Sequence, residues 1–257
     1  RFRCNKTTIY HDNSIIMAFA FIVAITIDPP QCGSASSTDF PVCFRGTYAG
    51  AGSDPDLRVT GSGGDVTQSD GDDINFFSDS GATTKLKWEL ERYISTTGEI
   101  VAWVKVPTLD HSADTVIYMG YGDSGITTFQ GDINGTWNSA FKAVWHLPDG
   151  TTLTFGDSTS NARTGTMHGT IAASAGILDG CGNSFSGQNY MTASDTGLPS
   201  GTGDRTISFW YRNPSVSFGG AGYNWVLGSF PTGNQCMGCR VNPSNDSKVH
   251  LYDGTDN

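Results

Sequence analysis

Charge is scarce in this sequence, and positive charge scarcer still. Charged residues make up 16% of the 257, with 15 Lys and Arg against 25 Asp and Glu, for a formal net charge of −10. A chain so short of basic side chains has no face with which to neutralise a phosphate backbone, which argues against duplex DNA or RNA as a partner. Long apolar runs are missing too. The longest, Ile15 to Ile27 (IIMAFAFIVAITI), falls short of the roughly 20 residues a membrane-spanning helix needs, so no membrane span is expected. There is no Gly-x-Gly-x-x-Gly opening a helix, no Walker loop and no Cys-x-x-Cys-His, hence no nucleotide, flavin or haem signature. No segment sustains a period of 3.6 residues, so an α-helical fold is not indicated.

What the chain does have is aromatic content, turn residues and short apolar runs. Its 14 Phe, 9 Tyr and 6 Trp within 37% hydrophobic residues are enough to build a core, and 33 Gly supply the turns. Runs recur at Pro41 to Thr47, Asp73 to Asp79, Lys87 to Tyr93, Glu99 to Val106, Thr115 to Tyr121, Phe141 to Leu147, Arg205 to Arg212, Asn224 to Phe230 and Lys248 to Tyr252. Gly, Asp, Asn, Ser and Thr clusters separate them. In Glu99 to Val106 the residues Ile100, Ala102, Val104 and Val106 fall on one face and Val101, Trp103 and Lys105 on the other, a period of two. Short strands so punctuated predict an all-β protein of two consecutive jelly-roll-like β-sandwiches.

The polar stretch Gly131 to Ser139 is the best internal break. It divides the chain into an uncertain extension over 1–16, a first sandwich over 17–139 and a second over 140–257. The loop Pro148 to Gly165 interrupts the second part early and exceeds the usual connection of about 4 to 6 residues. At the front, Ile15 to Ile27 follows Arg1, Arg3 and Lys6 as a secretory signal would, but His11, Asp12 and Asn13 interrupt it and no small-x-small site precedes Asp28. A strand from Phe19 to Asp28 is the preferred reading, with the signal as its alternative. Met17 as initiator would make residues 1–16 upstream sequence without a structural role. At the far end the strand Lys248 to Tyr252 runs into an Asp-Gly turn, so a longer protein and an incomplete second sandwich are expected.

Several residue groups resemble known modules. Ile25-Thr-Ile-Asp28, Asp39-Phe-Pro-Val42, Asp72-Asp73-Ile-Asn-Phe76, Trp88-Glu-Leu-Glu-Arg-Tyr93, Val101-Ala-Trp-Val-Lys-Val-Pro107 and Thr115-Val-Ile-Tyr118 with Tyr121-Gly122 resemble an uncharacterised domain family. That family occurs in bacterial, archaeal and phage surface proteins, typically just before a laminin-G-like jelly roll. The resemblance spans roughly residues 22–138. Val144-Trp-His-Leu147, Asp157-Ser-Thr-Ser-Asn161 with Gly165-Thr166, Ser184-Phe-Ser-Gly187 and Thr206-Ile-Ser-Phe-Trp-Tyr-Arg212 are similar to the laminin-G-like, concanavalin A-like lectin and glucanase fold. Together they imply an extracellular, cell-surface or virion protein with a glycan-binding or adhesive role. Its partners would be a surface polysaccharide and further domains of the same chain. Because that fold hosts lectins, glucanases and spacers alike, function must be argued from a site.

Glu89 and Glu91 lie on one face of a strand, as a glycosidase acid pair would, but Trp88 and Leu90 flank them where a jelly-roll glucanase needs a middle acid. A solvent-facing, aggregation-limiting strand edge is the plainer reading, and no enzyme is expected. Gly122-Asp-Ser-Gly125 imitates a protease nucleophile turn but reads as the turn after a strand. Cys32 and Cys43 bracket a short loop and are the disulfide to test, while Cys43 and Cys181 also suit the role of small buried hydrophobes. Cys236-Met-Gly-Cys239 has no second pair to complete a zinc site. Asp70, Asp72, Asp73 and Asn75 offer hard oxygens suited to Ca2+. The laminin-G resemblance implies Asp157 and Asn161 as its ligands. For sugar, Tyr223, Asn224 and Trp225 form the first candidate platform, and Tyr190 with Asp195 the second. Trp103, Trp145 and Trp210 read as core. Two further readings stand beside the binding module: a glucanase-like enzyme carried by Glu89 and Glu91, and a structural spacer of a surface filament or phage tail.

Overall fold

The computed structural model describes residues 2–7, 19–29, 34–51, 54–148, 153–183, 189–198 and 204–210, and the strands at 224–228, 238–241 and 249–252. It is an all-β protein. Strands β1 (Phe2–Thr7), β2 (Phe21–Ile27), β3 (Ser37–Thr47), β4 (Asn75–Phe77), β5 (Trp88–Ile94), β6 (Glu99–Leu109) and β7 (Thr115–Tyr121) build two antiparallel sheets, ordered β1-β2-β7-β4 and β3-β6-β5. The strand reading of the apolar run at residue 19 onward holds, since Phe21–Ile27 pairs with β7 along its whole length. Phe2–Thr7 pairs with its other edge, which gives part of the 1–16 stretch a structural place.

The period of two becomes packing here. Val23, Ile25 and Ile27 from β2 and Ile117, Met119 and Tyr121 from β7 meet Phe44 from β3, Trp88 from β5 and Ile100, Ala102, Val104 and Val106 from β6 in one buried cluster. Full burial of each large apolar side chain contributes about 1.5 to 3 kcal/mol. The inner ring is edge-on: Phe76 lies 5.2 Å from Trp88 and 5.7 Å from Phe44, both near-perpendicular contacts. Gly98 closes the β5–β6 hairpin at φ 72°, where a Cβ would strike the Tyr48 carbonyl oxygen.

After β7, Gly122 turns the chain at φ 85°, and Gly125 N–H donates to Asp123 Oδ1 at 2.9 Å. The protease-like tetrapeptide is therefore a turn, as expected. A one-turn helix, α1 (Ile133–Thr136), follows, capped by Asp132. The expected linker at 131–139 is fastened down, because Asp132 N–H donates to the Trp88 carbonyl at 2.9 Å and Trp137 is buried.

Strands beyond this point are short. β8 (Thr166–His168) pairs with β11 (Tyr190–Thr192), β9 (Ala172–Ala175) with β10 (Gly180–Asn183), and β12 (Asn224–Gly228), β13 (Gly238–Val241) and β14 (Val249–Tyr252) form a three-stranded sheet. Two predicted strands differ. Phe141 to Leu147 joins no ladder, because its backbone groups are taken up by side chains and turns of the segment itself: Val144 N–H donates to Asp157, and the Phe141 and Lys142 carbonyls accept from Asn161. Residues 204–210 also carry no strand, and Trp210 is 75% exposed, not core, since nothing among the described residues covers it. Cys43 is a free thiol, and Cys32, its expected partner, lies outside the described residues.

Candidate functional site

The site begins with an irregularity in β5. Glu89 pairs with Trp103 and Leu90 with Ala102, but Arg92 pairs with Val101, so Glu91 is an extra residue with no partner across the ladder. Alternation resets at that point. Trp88, Leu90 and Tyr93 pack into the sandwich core, and Glu89, Glu91 and Arg92 gather on the outer face of the β3-β6-β5 sheet, beside Trp103. A regular strand would have turned Arg92 inward.

That outer face is not open to solvent. Residues 137–148 and 153–163 lie against it as a strap, and the acid pair sits underneath. Glu89 Oε1 accepts from Ser158 Oγ at 2.5 Å, and Glu89 Oε2 accepts from Trp137 Nε1 at 2.7 Å. Glu91 Oε2 accepts from Trp103 Nε1 at 2.6 Å. Between them stands His146, with Nε2 3.2 Å from Glu89 Oε2 and Nδ1 3.1 Å from Glu91 Oε2. Nε2 lacks an aligned hydrogen bond, so its contact with Glu89 is ionic rather than directional. Side-chain exposures of 7% for Glu89, 3% for Glu91 and 13% for His146 place all three groups out of water. The expected solvent-facing strand edge is thereby corrected, because a residue far along the chain supplies the cover and the counter-charge.

Two indoles, Trp103 and Trp137, gather on one side of the imidazole. Its centroid lies 6.1 Å from Trp103 and 5.9 Å from Trp137, which themselves stand 5.1 Å apart. A cation at about 6 Å from indole faces gains further electrostatic attraction. Burial pushes the His146 pKa down, but Glu89 and Glu91 outweigh it and raise the value to about 9. Flanking ion pairs extend the seam: Arg92 bridges Glu99 at 3.1 Å and Asp179 at 3.0 Å, and Lys87 meets Asp132 at 3.0 Å. Three of the four glutamate oxygens, both of Glu89 and Oε2 of Glu91, are thus engaged by indole, hydroxyl or imidazole groups.

Asp157 folds the strap onto itself. Its carboxylate accepts the backbone N–H of Val144 and Thr159 at 2.9 Å and of Arg163 at 2.8 Å, and the Thr159 hydroxyl at 2.9 Å. Asn161 Nδ2 donates to the carbonyls of Phe141 at 3.3 Å and Lys142 at 3.2 Å. This donor set is that of a loop anchor, and the two residues as arranged do not fit a hard-cation cage. In the acidic turn, Asp73 is fully buried and accepts from Thr67, Gln68 and Gly122. No group of three or more His, Cys, Asp or Glu side chains converges to hold a metal among the described residues.

Of the expected sugar-binding residues, Tyr190 is 44% exposed and its ring stacks on that of His168 at 4.6 Å, across the β11–β8 pair. His168 Nε2 lies 2.9 Å from Thr192 Oγ1. Asp195 is exposed in the turn after β11. Tyr223 lies outside the described residues. Asn224 and Trp225 open β12, but their side chains are likewise outside the described ones. His146, Trp137 and Ser158 were not singled out as site residues by sequence reasoning. The one available signal was the paired acids, whose burial demands a counter-charge.

No curated protein and no solved structure matches the chain. No match supports the laminin-G-like domain expected after the first sandwich. A family described as a domain of unknown function (DUF2341) matches residues 70–144, a stretch that carries β4 to β7, Glu89, Glu91 and Trp137 and stops just before His146.

Proposed function

We propose that the chain is a non-catalytic glycan-binding or adhesive part of a surface-exposed or secreted protein. The observation that carries the non-catalytic reading is the commitment of the acid pair: both glutamates are buried and occupied by indole, hydroxyl and imidazole donors. The feature that favours sugar is the Tyr190–His168 stack, an exposed aromatic face bordered by hydroxyl-bearing Thr192. Rings of this kind pack on the apolar face of a pyranose while neighbouring polar groups fix its hydroxyls.

A glycan array probed with the full chain tests the proposal, once with added calcium and once with chelator. Saturable binding that is lost in Tyr190→Ala, with no release of reducing sugar from the bound glycan, is the expected result. Binding unchanged in Tyr190→Ala would remove the stack from the reading. A folded protein silent on the whole array would overturn the reading in favour of a structural spacer.

A further inference from the structure

The Glu89–His146–Glu91 cluster has a property that neither a binding surface nor a spacer requires. A neutral imidazole carries one N–H and one lone pair, yet both ring nitrogens of His146 lie within 3.2 Å of glutamate oxygens. A neutral ring would turn its lone pair on an anionic oxygen in a place with little water to screen it. The arrangement is balanced in charge when the ring is doubly protonated, with a glutamate oxygen 3.2 Å from Nε2 and another 3.1 Å from Nδ1.

We propose that His146 is a proton-dependent latch, which holds the strap formed by residues 137–148 and 153–163 on the outer face of the β3-β6-β5 sheet while charged and frees it when neutral. The groups that face the ring are few. From β5 come Glu89 and Glu91, and from β6 the uncharged Trp103. From β3 the Cys43 thiol senses both Glu91 and the Arg45 guanidinium; burial and then Glu91 outweigh Arg45 and raise its pKa to about 11, so it stays neutral across the range in which His146 titrates. The strap itself contributes Trp137 and Ser158, both uncharged. Arg92, the nearest cation on β5, is engaged by Glu99 and Asp179. Loss of the imidazolium proton therefore leaves two buried carboxylates with indole and hydroxyl donors but without the charge that stands between them. The elevated His146 pKa agrees with the geometry and sets the alkaline side of neutrality as the release range.

This latch does not depend on glycan binding, so either proposal can fail alone. Imidazole Cε1–H resonances of the full wild-type chain, followed by NMR from acid to alkaline pH, test it, with His146→Gln used to assign the signal among the five histidines. The latch predicts a midpoint near 9 for His146 and a lower midpoint in Glu91→Gln. A midpoint at or below the ordinary imidazole value would overturn it. Tryptic cleavage at Lys142, normalised to a peptide substrate, gives the second readout. It should rise roughly tenfold from about pH 7.5 to about pH 10 in the wild type, as expected for release of a docked segment. Equal normalised cleavage at the two pH values would also overturn the latch. Should His146→Gln fail to fold, the wild-type titration and cleavage still decide.

Discussion

Alkaline pH should cost this protein a defined part of its stability, and the amount follows from one side chain. The pKa of His146 rises from an unfolded value of 6.5 to about 9 in the folded chain. A raised pKa means that the folded state holds the proton more tightly. The stabilisation is therefore fully present below pH 6.5 and disappears as pH rises through about 9. At about 1.4 kcal/mol per pKa unit, the loss comes to roughly 3 kcal/mol. Other raised groups lose stability in the same direction: Cys43, held up to about 11 by burial and then Glu91, does so above its ordinary value of 9.0, and Tyr93, held well above its usual range by burial followed by Asp73, Asp56 and Asp70, does so at higher pH still, but both are common to wild type and variant. Lys85, whose pKa burial lowers, acts in the opposite direction and is common to wild type and variant. Urea unfolding of the wild type and His146→Gln at a series of pH values isolates the effect. Their stability difference should shrink by roughly 3 kcal/mol between about pH 6.5 and pH 10. A difference that stays constant over that range would refute the reasoning, because it would show that His146 carries no extra proton in the fold.

Two further perturbations bear on the scaffold. Asp157→Ala removes the acceptor of three backbone amides in the strap and should cost about 2 to 4 kcal/mol in urea unfolding. Burial raises the Asp157 pKa, but its hydrogen bonds from Val144, Thr159 and Arg163 outweigh this and lower it. Its contribution is thus present above the ordinary carboxylate range and lost as pH falls through the folded value. Gly98→Ala meets both a left-handed backbone and the Tyr48 carbonyl, and should lower the thermal midpoint by several degrees or more by calorimetry, whereas Gly61→Ala, with open space around it, should not.

How far the chain could be read before its structure depended on distance along the sequence. The β6 alternation was legible because Ile100, Ala102, Val104 and Val106 repeat every second residue, and those side chains do fill the core. Trp103 sits on the opposite face by the same count, and its assignment to the core failed because that face is covered by the strap and the glutamates rather than by the facing sheet. Glu89 and Glu91 were correctly placed on one face. Their neighbour Arg92 joins them only through the irregularity at Glu91, which no glycine or proline announces. The cover over that face was illegible for another reason. His146, Trp137 and Ser158 reach it by side-chain contacts from a segment with no ladder of its own, and a non-local contact leaves no period in the local sequence. Phe141 to Leu147 has a strand's composition but spends its side chains on the seam. Trp210 shows the converse, since alternation is not burial without a partner sheet.

The central claim is that the acid pair grips an imidazolium rather than waiting for a substrate. A double-mutant cycle on Glu91→Gln and His146→Gln, read by urea unfolding near neutral pH, tests it most directly. Each single change should destabilise, and the account predicts a coupling of about 1 to 3 kcal/mol between the two positions. Two additive changes, with no coupling beyond error, would mean that the carboxylate and the ring do not hold one another and would contradict the account.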